Sequence, residues 1–240
     1  MKVVVIVPAY NAGRHVRTVV ERIAAARVSG LARIVVVNDG STDDTGACIG
    51  ALATLHGMVD RIDREHNGGY GAAMKDGLDH ARALGADLAA CVHADGQYSP
   101  EALPGLLAAM IERRLDILQG SRIASGTALS GGMPMYKYVA NAILNRIENR
   151  TLGLSMTDYH SGYLLYGRRA LDMLPFRSLS DSFDFDLEMI ALARAHGLSI
   201  AEAPVATHYG EEISHLNPIT YGFRVLRVLW NYRRGRYAPT

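Results

Sequence analysis

Through the first half of the chain, short apolar runs alternate with stretches of helical spacing, and that rhythm admits few folds. Lys2 to Val7, Arg33 to Val37, Val59 to Ile62, Leu88 to Val92 and Asp116 to Gln119 read as strands. Between them Val16, Val19, Val20 and Ile23 recur at helical spacing, and helices are expected from about Thr42 to Leu55 and from about Gly69 to Ala83. Pro100 sits where a first helical turn accepts it. Strands apolar on both faces, each followed by a helix, imply an α/β chain with a mainly parallel central sheet covered on both faces. The 49% of hydrophobic and 20% of charged residues suit a packed globular chain rather than a disordered one.

After Gly120 the rhythm changes. Ser121 to Gly132 is rich in Gly and Ser and is expected to be a mobile loop, followed by a helix from about Met135 to Leu152. Tyr159 to Tyr166 alternates like a strand, Asp184 to Ala195 reads as a helix and Ser199 to Ala203 as a last strand. No linker or internal repeat divides the chain, so the expectation is one domain over 1–240: a ligand-binding half (1–120), a second half (121–216) and a C-terminal amphipathic helix (217–240).

Charge narrows the function. Twenty-five Lys+Arg against 24 Asp+Glu lack the basic excess that nucleic-acid binding needs. Two cysteines, Cys48 and Cys91, cannot build a disulfide framework or a four-cysteine zinc site, and read as buried thiols of a reducing compartment. The run Val3 to Val7 is too short for a signal peptide or a membrane span. The expected location is the cytoplasm, including the cytoplasmic face of a membrane.

In a parallel sheet, ligands bind at the loops that follow the strands. Those loops are Pro8-Ala9-Tyr10-Asn11, Asn38 to Thr45, Asn67-Gly68-Gly69-Tyr70-Gly71 and His93-Ala94-Asp95-Gly96-Gln97. Four polar or Gly-rich loops therefore share one rim. Asp39 can accept hydrogen bonds from a base or ribose, with Pro8 and Tyr10 as an apolar wall, although Asp39-Gly40-Ser41 is equally a turn and helix cap. The glycines of 67–71, entering a helix, can bring backbone amides close to a diphosphate, and Lys75 can add a charge there or be a solvated helix position.

In order and spacing, VPAYN at 7–11, VVVNDGSTDDT at 35–45, NGGYGAAMKDG at 67–77, HADGQYSPE at 93–101 and GSR at 120–122 resemble the inverting glycosyltransferases of family 2. The similarity is to the branch with dolichol-phosphate mannosyltransferase and bacterial polyprenyl-phosphate glycosyltransferases, covering about the first 190 residues well. It implies the GT-A (nucleotide-diphospho-sugar transferase) fold and a donor site of Pro8, Tyr10, Asn11, Val37, Asp39, Gly69, Lys75, His93, Ala94 and Asp95 for a GDP- or UDP-sugar. It also implies a Mn²⁺ or Mg²⁺ ion at Asp95 and Gln97. The family has Asp where this chain has His93, which leaves His93 as a nitrogen ligand, a ribose contact or a histidine that merely ends a buried strand.

On the acceptor side the resemblance assigns Arg122 to an acceptor phosphate, and places Lys137 and Asn141 where the branch has Arg and Ser. Asp158 matches a further acceptor-side position. A polyprenyl or dolichyl phosphate is already ionised and needs no general base; a saccharide or small-alcohol hydroxyl needs one, for which Asp184 or Asp186 would serve, unless both are helix N-terminal acids. Glu211 and Glu212 stand where the branch has cations, and with His93 they keep open a non-catalytic nucleotide-sugar-binding subunit; His208 and His215 are further candidates. A sugar-1-phosphate nucleotidyltransferase would carry a Gly-rich basic loop where Pro8-Ala9-Tyr10-Asn11 stands. Finally, Tyr221 to Arg236 puts Phe223, Leu226, Leu229 and Trp230 on one side of a helix with arginines elsewhere, a pattern for peripheral membrane contact or for packing on its own domain.

Overall fold

The computed structural model describes residues 1–206 and 218–239. Seven strands form one sheet: β1 (Val3–Ala9), β2 (Leu31–Asn38), β3 (Val59–Asp63), β4 (Leu88–Cys91), β5 (Ile117–Ser121), β6 (Leu164–Gly167) and β7 (Ile200–Pro204). Their order is β3-β2-β1-β4-β6-β5-β7. β6 runs antiparallel to β4 and β5, and the other neighbouring pairs are parallel. β1 is the switch point, with β2 on one side and β4 on the other, so the loops after these strands open onto the crevice where such sheets bind ligands.

Side chains of β1 alternate between two cores, as a strand requires. Val4 and Ile6 join the core on one face, and Val3, Val5 and Val7 join the core on the other. The first core takes α3 (Tyr70–Ala83), α6 (Arg168–Met173), α7 (Phe185–Ala195) and α8 (Pro218–Arg233). The second takes α1 (Val16–Ala25), α2 (Thr45–Leu55) and α4 (Leu103–Glu112). α3 lies especially close, because a Cβ on Gly77 would stand 2.3 Å from Ile6 Cγ2. Each buried Val or Ile contributes about 1.5–3 kcal/mol relative to exposure, so the strands cannot slip register without losing several such terms.

The expected elements are present with shifted ends, and three differences have physical causes. The strand expected over Tyr159 to Tyr166 shrinks to Leu164–Gly167. Residues 161–166 are buried without alternation, and Gly162 at φ +71° turns the chain before β6 begins. The 121–132 segment, expected as a mobile loop, is a series of hydrogen-bonded turns with Ala128 buried within it and Met133 buried just after it. α2 starts at Thr45 rather than Thr42, because Asp43 Oδ1 accepts from both the amide and the hydroxyl of Thr45. α5 (Met135–Leu152) falls where expected and ends at Gly153, at φ +65°. The region of His208, Glu211, Glu212 and His215 lies outside the described residues.

Candidate active site

The first three loops are stitched to one another by side chains. Asn11, at φ +49°, donates its amide N–H to Ser41 Oγ at 3.0 Å and accepts from Thr42 N at 2.9 Å. Asp39 is buried and accepts from Gly68 N and Gly69 N, each at 2.9 Å, while Arg64 Nε pairs with it at 2.8 Å. Pro8 is half-buried and Tyr10 is 48% exposed at the rim, as a wall for a planar ligand requires.

These contacts correct several expectations. The amides of Gly68 and Gly69 point to Asp39, and those of Gly71 and Ala72 to Asp181 O, so the Gly-rich turn serves the protein's own carboxylate and carbonyl rather than forming an open diphosphate cradle. Gly69 is required where it is: φ is +94°, and a Cβ would stand 2.5 Å from Asp181 O. Lys75 is buried, with Nζ hydrogen-bonded to Leu179 O and, at 2.8 Å, to Asp181 Oδ1, so it braces the 179–181 turn instead of reaching the rim. Val37 and Ala94 are core residues, 0% and 3% exposed, whose side chains offer a ligand no surface.

His93, Asp95 and Gln97 stand half-buried at alternate positions after β4, with Ala94 turned into the core between them. Asp95 Oδ1 accepts from Gln97 N at 3.0 Å, which holds the turn and leaves the second oxygen outside that bond. His93 Nε2 lies 3.1 Å from Gly162 O, and its ring stacks on Tyr70 with centroids 5.1 Å apart. Tyr70 OH donates to both oxygens of Asp186, at 3.1 and 2.9 Å. Burial pushes the Asp186 carboxyl up to about 6 against the opposing influence of His93, Tyr70 and His160.

The second half supplies a buried charge network. Arg122 donates to Asp158 from Nε at 2.7 Å, from a terminal nitrogen at 2.9 Å and from its backbone at 3.1 Å. Burial acts to raise the Asp158 carboxyl, but the Arg122 charge and hydrogen bonds, with His160, outweigh it and hold it below the usual carboxylate range. His160 donates its backbone N–H to Asp158 Oδ1, and its ring bridges Glu148 at 3.3 Å and Tyr221 OH at 2.9 Å. Burial acts to lower the His160 ring; the charge and hydrogen bond of fully buried Glu148 raise it instead. Lys137, Asn141, Asn145 and Glu148 follow the spacing of one face of α5, and Asn145 and Glu148 are buried there. Beside them Ile123, Tyr138, Ala142, Asn145, Arg146 and Thr157 line a cavity of about 400 Å³.

Asp184 is not available to a substrate. It is buried, accepts from Ser180 Oγ at 2.9 Å, and takes Arg224 at 3.1 Å and Arg227 at 2.9 Å from α8. Burial acts to raise it, and those three partners hold it low. Asp184 therefore tethers α8, with Arg224 and Arg227 as the anchors.

Tyr70, Glu148 and His160 had no assigned role in the sequence. His160 is two residues from both Asp158 and Gly162, the nearest thing to a local signal, whereas Glu148 lies within an ordinary helical stretch. Among the described residues, no three His, Cys, Asp or Glu side chains gather as a metal-binding group.

A mostly parallel, doubly covered sheet with its strand-end loops drawn together around a half-buried His-x-Asp-x-Gln turn is the architecture of a GT-A glycosyltransferase. The sequence profile of Glycosyl transferase family 2 matches residues 4–174, and the chain belongs to that family. It is 28% identical to the UDP-N-acetylglucosamine–dolichyl-phosphate N-acetylglucosaminyltransferase of Methanococcus voltae, over 96% of each chain. It is 30% identical to the polyprenol monophosphomannose synthase of Mycolicibacterium smegmatis, over 85% of this chain and 76% of that one. Glucosyl-3-phosphoglycerate synthase of Mycobacterium tuberculosis, solved with Mn²⁺, UDP and glucosyl-3-phosphoglycerate, shares the fold at a TM-score of 0.67 and 18% identity, covering 100% of this chain and 81% of that one. The protein is thus a glycosyltransferase.

Proposed function

We propose that the protein transfers a sugar, with inversion, from a UDP- or GDP-sugar to a polyprenyl phosphate. One observation carries the choice of acceptor: both carboxylates nominated as general base are already engaged, Asp184 by two arginines and Asp186 by Tyr70 in a buried position. A hydroxyl acceptor needs a base within reach, whereas a phosphate arrives ionised. The polyprenyl-phosphate acceptors named for the relatives support the same reading.

Donor binding is assigned to Pro8 and Tyr10 at the base, with Asn11 and Asp39 holding the loops around it. The donor set at the His93–Gln97 turn fits a divalent cation. Asp95 and Gln97 bring hard oxygen ligands, and a set this small is what Mg²⁺ or Mn²⁺ accepts when substrate phosphates complete its shell. Structures of the Mycobacterium tuberculosis protein with Mn²⁺ or with Mg²⁺ and UDP support that fit. When bound by Asp95, Gln97 and His93, such an ion neutralises charge on the leaving diphosphate. Arg122, aligned by Asp158, orients the acceptor phosphate, and Lys137 and Asn141 line its approach along α5. An acceptor oxygen then forms the bond to the anomeric carbon as the bond to the nucleoside diphosphate breaks.

A lipid acceptor calls for membrane contact, and two helices support it. α8 exposes Phe223, Leu226 and Trp230. α5 exposes Tyr136, Val139, Ile143 and Ile147 while burying Asn145 and Glu148, the reverse of a soluble amphipathic helix. We assign both to a cytoplasmic membrane face, bound peripherally; among the described residues, no helix is long and apolar enough to cross a bilayer.

The test is a transfer assay with Mn²⁺, a panel of UDP- and GDP-sugars, and either a polyprenyl phosphate or a monosaccharide and glycerol. Lipid-linked product of inverted anomeric configuration is expected, and loss of transfer with retained fold in Asp95→Ala. Transfer only to hydroxyl acceptors overturns the acceptor assignment, and nucleotide binding without turnover on any acceptor overturns the enzyme reading of this site.

A further inference from the structure

Where the family's metal motif begins with a carboxylate, this chain has His93, and the surrounding contacts are those of a prepared nitrogen ligand. Gly162 O is an acceptor only, so His93 Nε2, 3.1 Å away, carries the ring proton in that hydrogen bond. Nδ1 has no hydrogen-bond partner among the described residues. Metal-bound histidines characteristically donate their second nitrogen to a carbonyl or carboxylate, which fixes both tautomer and ring orientation.

The ring is held on its other sides too. Tyr70 stacks on it at an interplanar angle of 17°, and Tyr70 is itself fixed through its hydroxyl on Asp186. Tyr98 meets the ring at a tilt, with centroids 6.0 Å apart. Gly162 has φ +71°, and a Cβ there would stand 2.5 Å from His93 Nε2, so the carbonyl reaches the ring only because this residue is glycine. Asp95 follows two residues later, with one oxygen occupied by Gln97 N.

We infer that His93 binds the divalent cation through Nδ1, with Nε2–H held by Gly162, and that this nitrogen biases the site toward Mn²⁺ over Mg²⁺. The inference rests on the metal-dependent reading of the site and adds its ligand atom and selectivity. Mg²⁺ is a hard cation that prefers oxygen ligands, whereas a first-row transition ion such as Mn²⁺ accepts imidazole more readily. The clamp from Gly162, Tyr70 and Asp186 makes these three positioning residues for that ligand.

Pulsed EPR on the full chain with Mn²⁺ and either UDP or GDP tests this directly. The expected spectrum shows ¹⁴N coupling from a coordinated imidazole, replaced by ¹⁵N coupling when the protein is labelled with ¹⁵N-histidine and lost in His93→Asp. Titrating Mg²⁺ against bound Mn²⁺ should require about tenfold more Mg²⁺ for the wild type than for His93→Asp. Gly162→Ala should weaken the nitrogen coupling while Asp95 is unchanged. Bound Mn²⁺ without histidine nitrogen coupling in the labelled wild type overturns the inference and leaves the metal site standing. Failure to bind Mn²⁺ with either nucleotide overturns the metal site, and this inference with it. The isotope comparison needs no substitution, so a misfolded variant does not blunt it.

Discussion

Asp39 illustrates how a residue that looks like a ligand contact is first a fastener. Its two oxygens hold the amides of Gly68 and Gly69, some thirty positions along the chain, and Arg64 neutralises it. In Asp39→Asn an amide nitrogen would face one of those N–H donors, leaving a buried donor unpaired at about 1–3 kcal/mol. The urea midpoint should fall accordingly and donor affinity with it; a variant of unchanged stability would show that the fastening is dispensable. Asp186 makes the opposite prediction. Its proton leaves near 3.8 ordinarily and near 6 in the folded protein, so the folded state holds a proton that the unfolded chain has released between those values. Stability therefore falls as pH rises through that window, by about 3 kcal/mol for this group. Asp186→Asn should match the wild type near pH 4 and exceed it by roughly that amount near neutrality. Parallel unfolding curves at both pH values would contradict the burial argument. Neither role was legible in the sequence, because Asp39–Gly68 and Asp186–Tyr70 are pairings across the fold that leave no periodic trace.

Elements were far more readable than pairings. β1, β2 and β4 are largely apolar on both faces, so their hydrophobic runs mark them to within two residues at each end, and Val16, Val19, Val20 and Ile23 are all buried as α1 requires. Legibility failed where burial ceased to follow a period: 159–163 is packed like a strand but turns at Gly162, and α6 is too short to establish a helical repeat. α5 was found at its correct ends but could be read inside-out, since Asn145 and Glu148 face inward while Val139, Ile143 and Ile147 are exposed. The reason is the Glu148–His160–Tyr221 chain, which joins α5, the turn before β6 and α8. Among the described residues His160 is the cation in ion-pair contact with buried Glu148, so His160→Gln leaves an uncompensated charge and should cost about 3–5 kcal/mol. Adding Glu148→Gln should recover a substantial part of that loss, a non-additivity measurable by a double-mutant cycle. Because the folded His160 ring holds its proton more tightly than the unfolded one, the pair's contribution is complete below about 6.5 and declines as pH rises through the folded value. Additive losses, or a coupling that grows with pH, would refute the ion pair.

At the scale of the whole molecule, the exposed faces of α5 and α8 carry apolar side chains and cations but no exposed acid. α8 contains no Asp or Glu, and the one acid of α5, Glu148, is buried. Arg146, Arg150, Arg233, Arg234 and Arg236 are exposed along these helices and the chain end, and Arg234 lies over the Trp230 ring at 4.7 Å. Two copies of such a face would bring like charges together, whereas an anionic bilayer takes both its apolar and its cationic groups. Each arginine near an anionic surface is worth about 1 kcal/mol, and immersed side chains such as Phe223 and Ile143 add a term that salt does not screen. Trp230 is the only tryptophan, so its fluorescence reports on α8 alone. Vesicles containing anionic lipid should shift its emission to the blue and retain the protein on flotation, and raising salt to about 1 M should weaken but not abolish binding. Phe223→Asp and Ile143→Asp should each reduce retention severalfold while leaving soluble nucleotide binding unchanged. An unshifted Trp230 spectrum on anionic vesicles, or a concentration-dependent dimer that protects Trp230 from quencher without lipid, would reassign this face to another copy of the chain.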